Sequence, residues 1–235
     1  MATTGFGASH FAFLLQGALW TLVLSLVAFA GGGLCAFAVA LARVSPRRAV
    51  RLAAGLWVQL VQGSPLLVIM FLAYFGLPTL GVKVSALAAA GVSLTIYVSA
   101  YLGEIWHAAI QAVPRPQWEA AECLALSRTQ RMVKVVLPQA VRLATPPTVG
   151  FMVQIVKNTS LASVVGFVEL ARSGQIVNNS IFEPFIVYLV IAALYFAMCF
   201  PLSAWSRRLE RRAGPASARS AATPLSTHDP ILSQS

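Results

Sequence analysis

Charge is what this sequence lacks most. Only 10% of its 235 residues are Asp, Glu, Lys or Arg, against ~25% in a soluble domain. Too few ionic side chains exist to cover a surface facing water. Cysteines number three, Cys35, Cys123 and Cys199; they are scattered singly without metal-ligand spacing, which excludes a disulfide framework or a zinc site and leaves them as small apolar residues. A phosphate-cradling G-x-x-x-x-G-K-[ST] loop is absent, so the chain does not hydrolyse ATP through that motif. The start, Met1-Ala-Thr-Thr-Gly-Phe-Gly-Ala-Ser-His10, has neither a basic n-region nor an Ala-x-Ala cleavage pattern, and no secretory signal is expected.

What is abundant is apolar length. Hydrophobic residues make up 58% of the chain and mean hydropathy is +0.76. A bilayer crossing needs ~20 mostly apolar residues, and five such runs are legible. They extend from about Phe11 to Ala42, interrupted by Gly31-Gly32-Gly33; from Leu56 to Leu80, containing Gly63-Ser64-Pro65; from Val84 to Ile110; from Val135 to Phe167, with Pro146-Pro147 as a plausible break; and from Phe185 to Trp205. The glycines of the first run either let helices approach closely or reflect the ordinary use of Gly in spanning helices. Residues 1–10 read as an extracytoplasmic segment, 11–212 as a transmembrane domain, Glu169 to Glu183 as a polar connection, and 213–235 as a disordered tail rich in Ser, Ala, Pro and Thr. The expected fold is therefore an all-α integral membrane protein of about five transmembrane helices.

A net charge of +10 would suit a nucleic-acid partner, but its distribution argues otherwise. Of 17 basic residues, 14 fall in three clusters, around Arg43 to Arg51, Arg115 to Arg142 and Arg207 to Arg219, leaving Lys83, Lys157 and Arg172 outside them. The clusters occupy alternate connections, the pattern of cytoplasmic loops under the positive-inside rule. The N-terminus is thus expected outside and the C-terminus in the cytoplasm.

The one sizeable internal polar stretch, about 111–138, predicts two helices joined by a tight turn. Pro116 suits the first position of a helix from Arg115, where its missing N–H costs nothing. Glu119 and Glu122 near that end complement the helix dipole, and Ser127-x-x-Gln130 has the form of a capping box opening the second helix. The element is either a solvated connection or a docking surface for a soluble partner.

At this segment the chain resembles a family. Glu119-Ala120-Ala121 followed by Val136-Leu137-Pro138-Gln139-Ala140 looks like the E-A-A loop of binding-protein-dependent ABC transporter permeases. Gln62-Gly63-Ser64-Pro65-Leu66-Leu67, Tyr74-Phe75-Gly76-Leu77-Pro78, Ala100-Tyr101-Leu102-Gly103-Glu104-Ile105 and Lys157-Asn158-Thr159-Ser160-Leu161 are similar, in order, to motifs of its polar amino-acid branch. The resemblance spans roughly Gln62 to Arg212. Three positions depart from it: Ala125 where Gly is usual, Pro116 where Gly precedes the Gln, and His107 where Arg is common.

The resemblance implies a type I ABC importer permease with a cytoplasmic coupling helix, in the bacterial inner membrane, translocating an amino acid. It implies a second permease subunit, identical or a paralogue, a cytoplasmic ABC ATPase dimer that carries the hydrolysis, and an extracytoplasmic solute-binding protein. No cofactor, metal or nucleic acid is implied. Glu119, Ala120, Ala121 and Ala125 become coupling candidates. Polar residues within spans are expensive and so are candidates for the pathway: Gln62, Tyr101, Glu104, Gln154, Lys157, Asn158, Thr159 and Ser160, with Lys157 and Asn158 expected to act as a pair. Any one of these can instead satisfy a neighbour or a helix end, and His107 reads as structural. An ion-coupled secondary transporter is the alternative, although no internal repeat is seen.

Overall fold

The computed structural model describes residues 5–213. Every regular element among them is helical: α1 (Ala8–Arg43), α2 (Arg48–Gln62), α3 (Leu66–Thr79), α4 (Ala86–Gln111), α5 (Arg115–Cys123), α6 (Arg128–Val165), α7 (Leu170–Ile181) and α8 (Pro184–Ala213). Helices α1, α4 and α8 are each long and apolar enough to cross a bilayer alone. The pairs α2/α3 and α6/α7 pass the same test as bent units, giving five crossings. That matches the expected architecture. The helix α1 starts at Ala8, so the segment read as 1–10 is already helical at its end; the tail read as disordered lies, from residue 214 onward, outside the described residues.

Three local expectations are corrected. The second span is not one helix: α2 and α3 meet at 95° across Gly63-Ser64-Pro65. Pro65 has no N–H to continue α2, and the residue before a proline is pushed out of helical geometry. Pro146 and Pro147 do not break α6. The Ser206 hydroxyl of α8 donates to the Pro146 carbonyl at 3.0 Å, so a neighbouring helix packs against this stretch, the setting in which proline persists inside membrane helices. The stretch Glu169 to Glu183 is not a loop, because it contains α7, bent by 51° from α6.

Prolines nevertheless leave a mark elsewhere. Two π-helical turns, Leu72–Gly76 and Met132–Val136, each end two residues before a proline, Pro78 and Pro138. A proline ring collides with the carbonyl four residues back, and widening the preceding turn relieves the collision without ending the helix.

The core is centred on α1 against α4. Leu24, Ala28 and Ala36 of α1 pack with Leu94, Val98 and Leu102 of α4, joined by Leu66 and Met70 of α3 and by Ile155 of α6. Of the three consecutive glycines only Gly32 is required: a methyl there would land on Val98 and lie 3.0 Å from the Thr95 carbonyl. Gly31 and Gly33 would each make only ordinary contact, with Thr95 at 3.4 Å and with Trp106 at 4.0 Å. Gly103 plays the matching part on α4, where a methyl would stand 2.7 Å from Val39 Cγ1. Small residues on both helices thus let two backbones approach, the main source of helix association where lipid competes for apolar contact. The close packing, open as one of two readings in the sequence, is the correct one at Gly32.

A second cluster joins α1, α7 and α8. The carboxylate of Glu169 is fully buried and caps α7 by accepting from the Ala171 and Arg172 N–H groups, both at 2.9 Å. Tyr195 of α8 donates to it at 2.9 Å and Thr21 of α1 at 3.4 Å. The Thr21 oxygen in turn accepts from the Leu170 N–H at 3.2 Å. One acid therefore ties three helices, and α7 seats Ser173 over Gly17 of α1.

Replacing Gly32 by Ala is expected to lower thermal stability in detergent by about 1–3 kcal/mol, the usual range for overpacking. Gly33→Ala, whose methyl would only touch Trp106 at 4.0 Å, should melt within about 0.5 kcal/mol of wild type. Equal melting of the two variants would sink the close-packing assignment.

Candidate functional site

Eight polar residues are pathway candidates, and the structure sorts them. Tyr101 stands on α4 with Tyr97 one turn earlier, ring centroids 4.2 Å apart. Phe151 of α6 stacks on Tyr101 at 5.6 Å, the ring planes 11° apart. Gln154 and Asn158 continue the same face of α6 at helical spacing, joined by a 3.3 Å bond from Gln154 Nε2 to Asn158 Oδ1. An aromatic wall and two amides thus form one surface between α4 and α6.

Lys157 does not share it as a pair with Asn158. Adjacent helical residues point about 100° apart, and Lys157 turns toward α8, where it lines a cavity with Tyr195, Cys199, Ser203 and Arg207. Its side chain is exposed, as is that of Gln154. Exposure of an amide and an ammonium on mid-span surface is incompatible with contact to lipid tails. This surface faces water or another subunit.

The remaining candidates separate. Gln62 is the last residue of α2, exposed at the break before α3. Thr159 is buried and its hydroxyl donates back to the Val156 carbonyl at 2.7 Å; Ser160 does the same to Lys157 at 2.7 Å. Such back-bonding satisfies each hydroxyl within its own helix. Glu104 is held by Arg43, whose Nη2 donates to both carboxylate oxygens at 3.1 and 2.9 Å. The clasp went unread in the sequence because Arg43 was grouped with a loop cluster, 61 residues away along the chain. The Glu169 network also went unread, since Glu is not a usual N-cap residue.

The cytoplasmic element is built as its sequence suggests, with two shifts. Pro114 is the N-cap of α5, so Pro116 occupies the second helical position rather than the first, and no acid lies in the first turn. Glu122 instead forms a 2.9 Å ion pair with Arg131 of α6. The capping box is present: the Ser127 hydroxyl accepts from the Gln130 N–H at 3.3 Å, and the Gln130 side chain accepts from the Ser127 N–H at 2.9 Å.

The helix α5 ends in a Schellman motif. The Leu126 N–H donates to the Ala121 carbonyl at 3.2 Å and the Ala125 N–H to the Glu122 carbonyl at 2.8 Å. This motif requires a left-handed residue between them, and Ala125 has φ 54°. An alanine thus stands in a conformation that suits glycine. Ala121 is buried beneath the turn, while Glu119, Ala120 and Leu124 are exposed on it, Leu124 at 74%. This turn thus presents a charged and an apolar side chain together, both exposed among the described residues.

These two features, an exposed polar face within a span and a rigid helical tip outside it, are matched by one family model. Residues 31–215 fit the model described as binding-protein-dependent transport system inner membrane component. The chain belongs to this family. Among its relatives, the probable amino-acid ABC transporter permease protein YckA of Bacillus subtilis (strain 168) is 33% identical over 209 residues, 89% of this chain and 92% of that protein. The probable glutamine ABC transporter permease protein GlnM of the same organism is 34% identical over 203 residues, 86% and 94% of the two chains. A crystal structure of an amino acid ABC transporter with histidines superposes with a TM-score of 0.83 at 33% identity, covering 87% of this chain and 95% of that one. The chain is a membrane permease with the fold of type I ABC importers, a family that works with ATPase and binding-protein partners. Nothing in the fold or the family supports the ion-coupled alternative.

A left-handed residue other than Gly costs ~1–2 kcal/mol, and part of that is returned by the greater freedom of Gly when unfolded. Ala125→Gly is therefore expected to stabilise the turn by about 1 kcal/mol, read as slower proteolysis between α5 and α6 and a melting temperature higher by a few degrees. Unchanged or faster cleavage would argue against a left-handed Ala125.

Proposed function

We propose that this chain is the permease subunit of an ATP-driven importer that carries a polar amino acid across a bacterial cytoplasmic membrane. The observation that carries the reading is the polar surface of exposed Gln154 and half-buried Asn158 beside the Tyr97, Tyr101 and Phe151 wall, with exposed Lys157 on the adjoining face toward α8. An amide-lined aromatic face suits a small zwitterion, and a cation at its margin suits a carboxylate. The names of the relatives YckA and GlnM, an amino-acid and a glutamine permease, support the same class. Gln62, at the break between α2 and α3, belongs to this pathway; Thr159 and Ser160 shape its wall; Glu104 acts at its inner end through Arg43.

ATP hydrolysis resides on a separate ATPase dimer, which docks on Glu119, Ala120 and the turn at Ala125. Ala121 supports that surface from beneath. A second permease, either a copy or a paralogue, covers the polar face, and a solute-binding protein delivers the amino acid from outside. The arginine clusters lie at the end of α1 and the start of α2, in α5 and the start of α6, and at the end of α8, which supports a cytoplasmic C-terminus and an outer N-terminus. ATP-driven closure of the ATPases would then move the bundle through α5 and alternate access to the pathway.

Three experiments test the proposal. Uptake of a panel of amino acids is measured in proteoliposomes holding the permease–ATPase complex, ATP in the lumen and binding protein outside. Wild type is expected to accumulate a neutral or acidic polar amino acid. Asn158→Asp should shift preference toward cationic ones, and Lys157→Gln should lower the rate at least threefold. Two variants indistinguishable from wild type would remove these residues from the pathway.

Coupling is tested by Glu119→Lys, which reverses an exposed charge worth ~1.5–3 kcal/mol when hydrogen-bonded to a partner. The variant should insert normally yet lose roughly tenfold or more in ATPase association or in transport. Normal assembly and transport would count against docking at this residue. In whole cells, a cysteine placed at Ser127 should resist a membrane-impermeant thiol reagent until the membrane is opened; labelling in intact cells would invert the orientation.

A further inference from the structure

At the cytoplasmic ends of α1, α2 and α4 lies a polar cavity of ≈ 500 Å3, separate from the mid-membrane face and from the docking tip. Arg43, Arg51, Gln59, Glu104, His107 and Gln111 line it. Arg43 and Glu104 are locked together, but the Glu104 side chain keeps 35% of its exposure, leaving acceptor positions free toward the cavity. Arg51 is exposed, with one nitrogen bonded to the Ser45 carbonyl at 3.0 Å and the rest of its fork open. Gln59 and Gln111 add two exposed amides.

The cluster is under-satisfied as it stands. His107 is only 7% exposed, and its Nδ1 points at Glu104 from 3.5 Å without a hydrogen bond; Arg43 Nε likewise has no partner. Buried polar atoms are seldom left so, and a ligand that completes the network is one resolution. Two arginines against one glutamate leave an excess positive charge before His107 is counted. A group with an ammonium for Glu104, a carboxylate for the Arg51 fork and a polar side chain for the amides matches this lining. That group is an amino acid of zero or negative net charge.

We infer that this cavity is an amino-acid site open to the cytoplasm, and that filling it slows import. The inference rests on the amino-acid and orientation readings given above. The cradle is assembled from three helices and exists only while their inner ends stay together. A ligand shifts a conformational equilibrium by its differential affinity for the two states. At ten times its Kd, an occupant specific to this arrangement favours it roughly tenfold, and the cycle that must part these helices slows accordingly.

The test begins with equilibrium binding of labelled glutamine, glutamate and arginine to the purified permease–ATPase complex, without binding protein. Glutamine and glutamate should bind, and arginine at least tenfold more weakly. Arg51→Ala, an exposed substitution that leaves the core intact, should weaken glutamate binding at least tenfold, and Gln111→Leu should weaken glutamine binding severalfold. Asn158→Asp should change neither. Binding that survives Arg51→Ala, arginine binding as tightly as glutamine, or no binding at all overturns the inference. Binding lost in Asn158→Asp alone places the ligand on the mid-membrane face, which overturns the inference and leaves the transport proposal standing.

The second arm loads the proteoliposome lumen with glutamine. Initial uptake by wild type should fall severalfold, and Arg51→Ala should import at the wild-type rate with or without that load. Uptake insensitive to the load overturns the inhibitory role. Failure of any amino acid to be imported under any load overturns the transport proposal itself.

Discussion

The contact on which the rest of the structure depends is the close approach of α1 and α4. Within hydrocarbon, burying apolar side chains against one another gains little over burying them in lipid, so helices associate where their backbones come near enough for dense packing. Gly32 and Gly103 supply that nearness, one from each helix. Once these axes are fixed, the C-terminal end of α1 brings Arg43 to Glu104, and α4 turns Tyr97 and Tyr101 toward α6. The ion clasp and the aromatic wall are consequences of one packing decision.

Polar groups within the bundle follow a second rule, that each must find a partner or face water. Glu169 illustrates the first solution. Its carboxylate draws donors from two backbone amides, a tyrosine and a threonine, and so turns an expensive acid into a joint between α1, α7 and α8. Gln154, Lys157 and Asn158 illustrate the second, because they remain on the surface of the single chain. The chain holds both kinds: a buried acid that joins three helices, and polar side chains left open on its surface.

Between these lies the mechanical part. The helix α5 is stiffened at both ends, by proline at its start and by the Schellman turn at its close, and Ser127 and Gln130 cap the helix that follows. A π turn then leads into Pro138 and the long helix α6. The tip is thereby joined without a flexible break to α6, which carries Phe151, Gln154 and Asn158. The strained Ala125 sits at the junction, where glycine would relax the turn without altering its path.

Much of this was legible in order along the chain. The apolar runs required five crossings, the arginine clusters marked one side of the membrane, and Ser127-x-x-Gln130 announced a helix start, because each signal depends on neighbours in sequence. Ala125 was also legible as a departure, because the family the chain resembles usually has Gly there, the residue best suited to left-handed geometry. What the sequence could not decide depends on partners distant along the chain. Nothing local says that Gly32 rather than Gly31 or Gly33 meets α4, that Glu104 belongs to Arg43, or that Glu169 is caged by Thr21 and Tyr195. Nor does adjacency tell that Lys157 and Asn158 face apart. Those outcomes are set by rotation of each helix about its own axis, which only tertiary packing fixes.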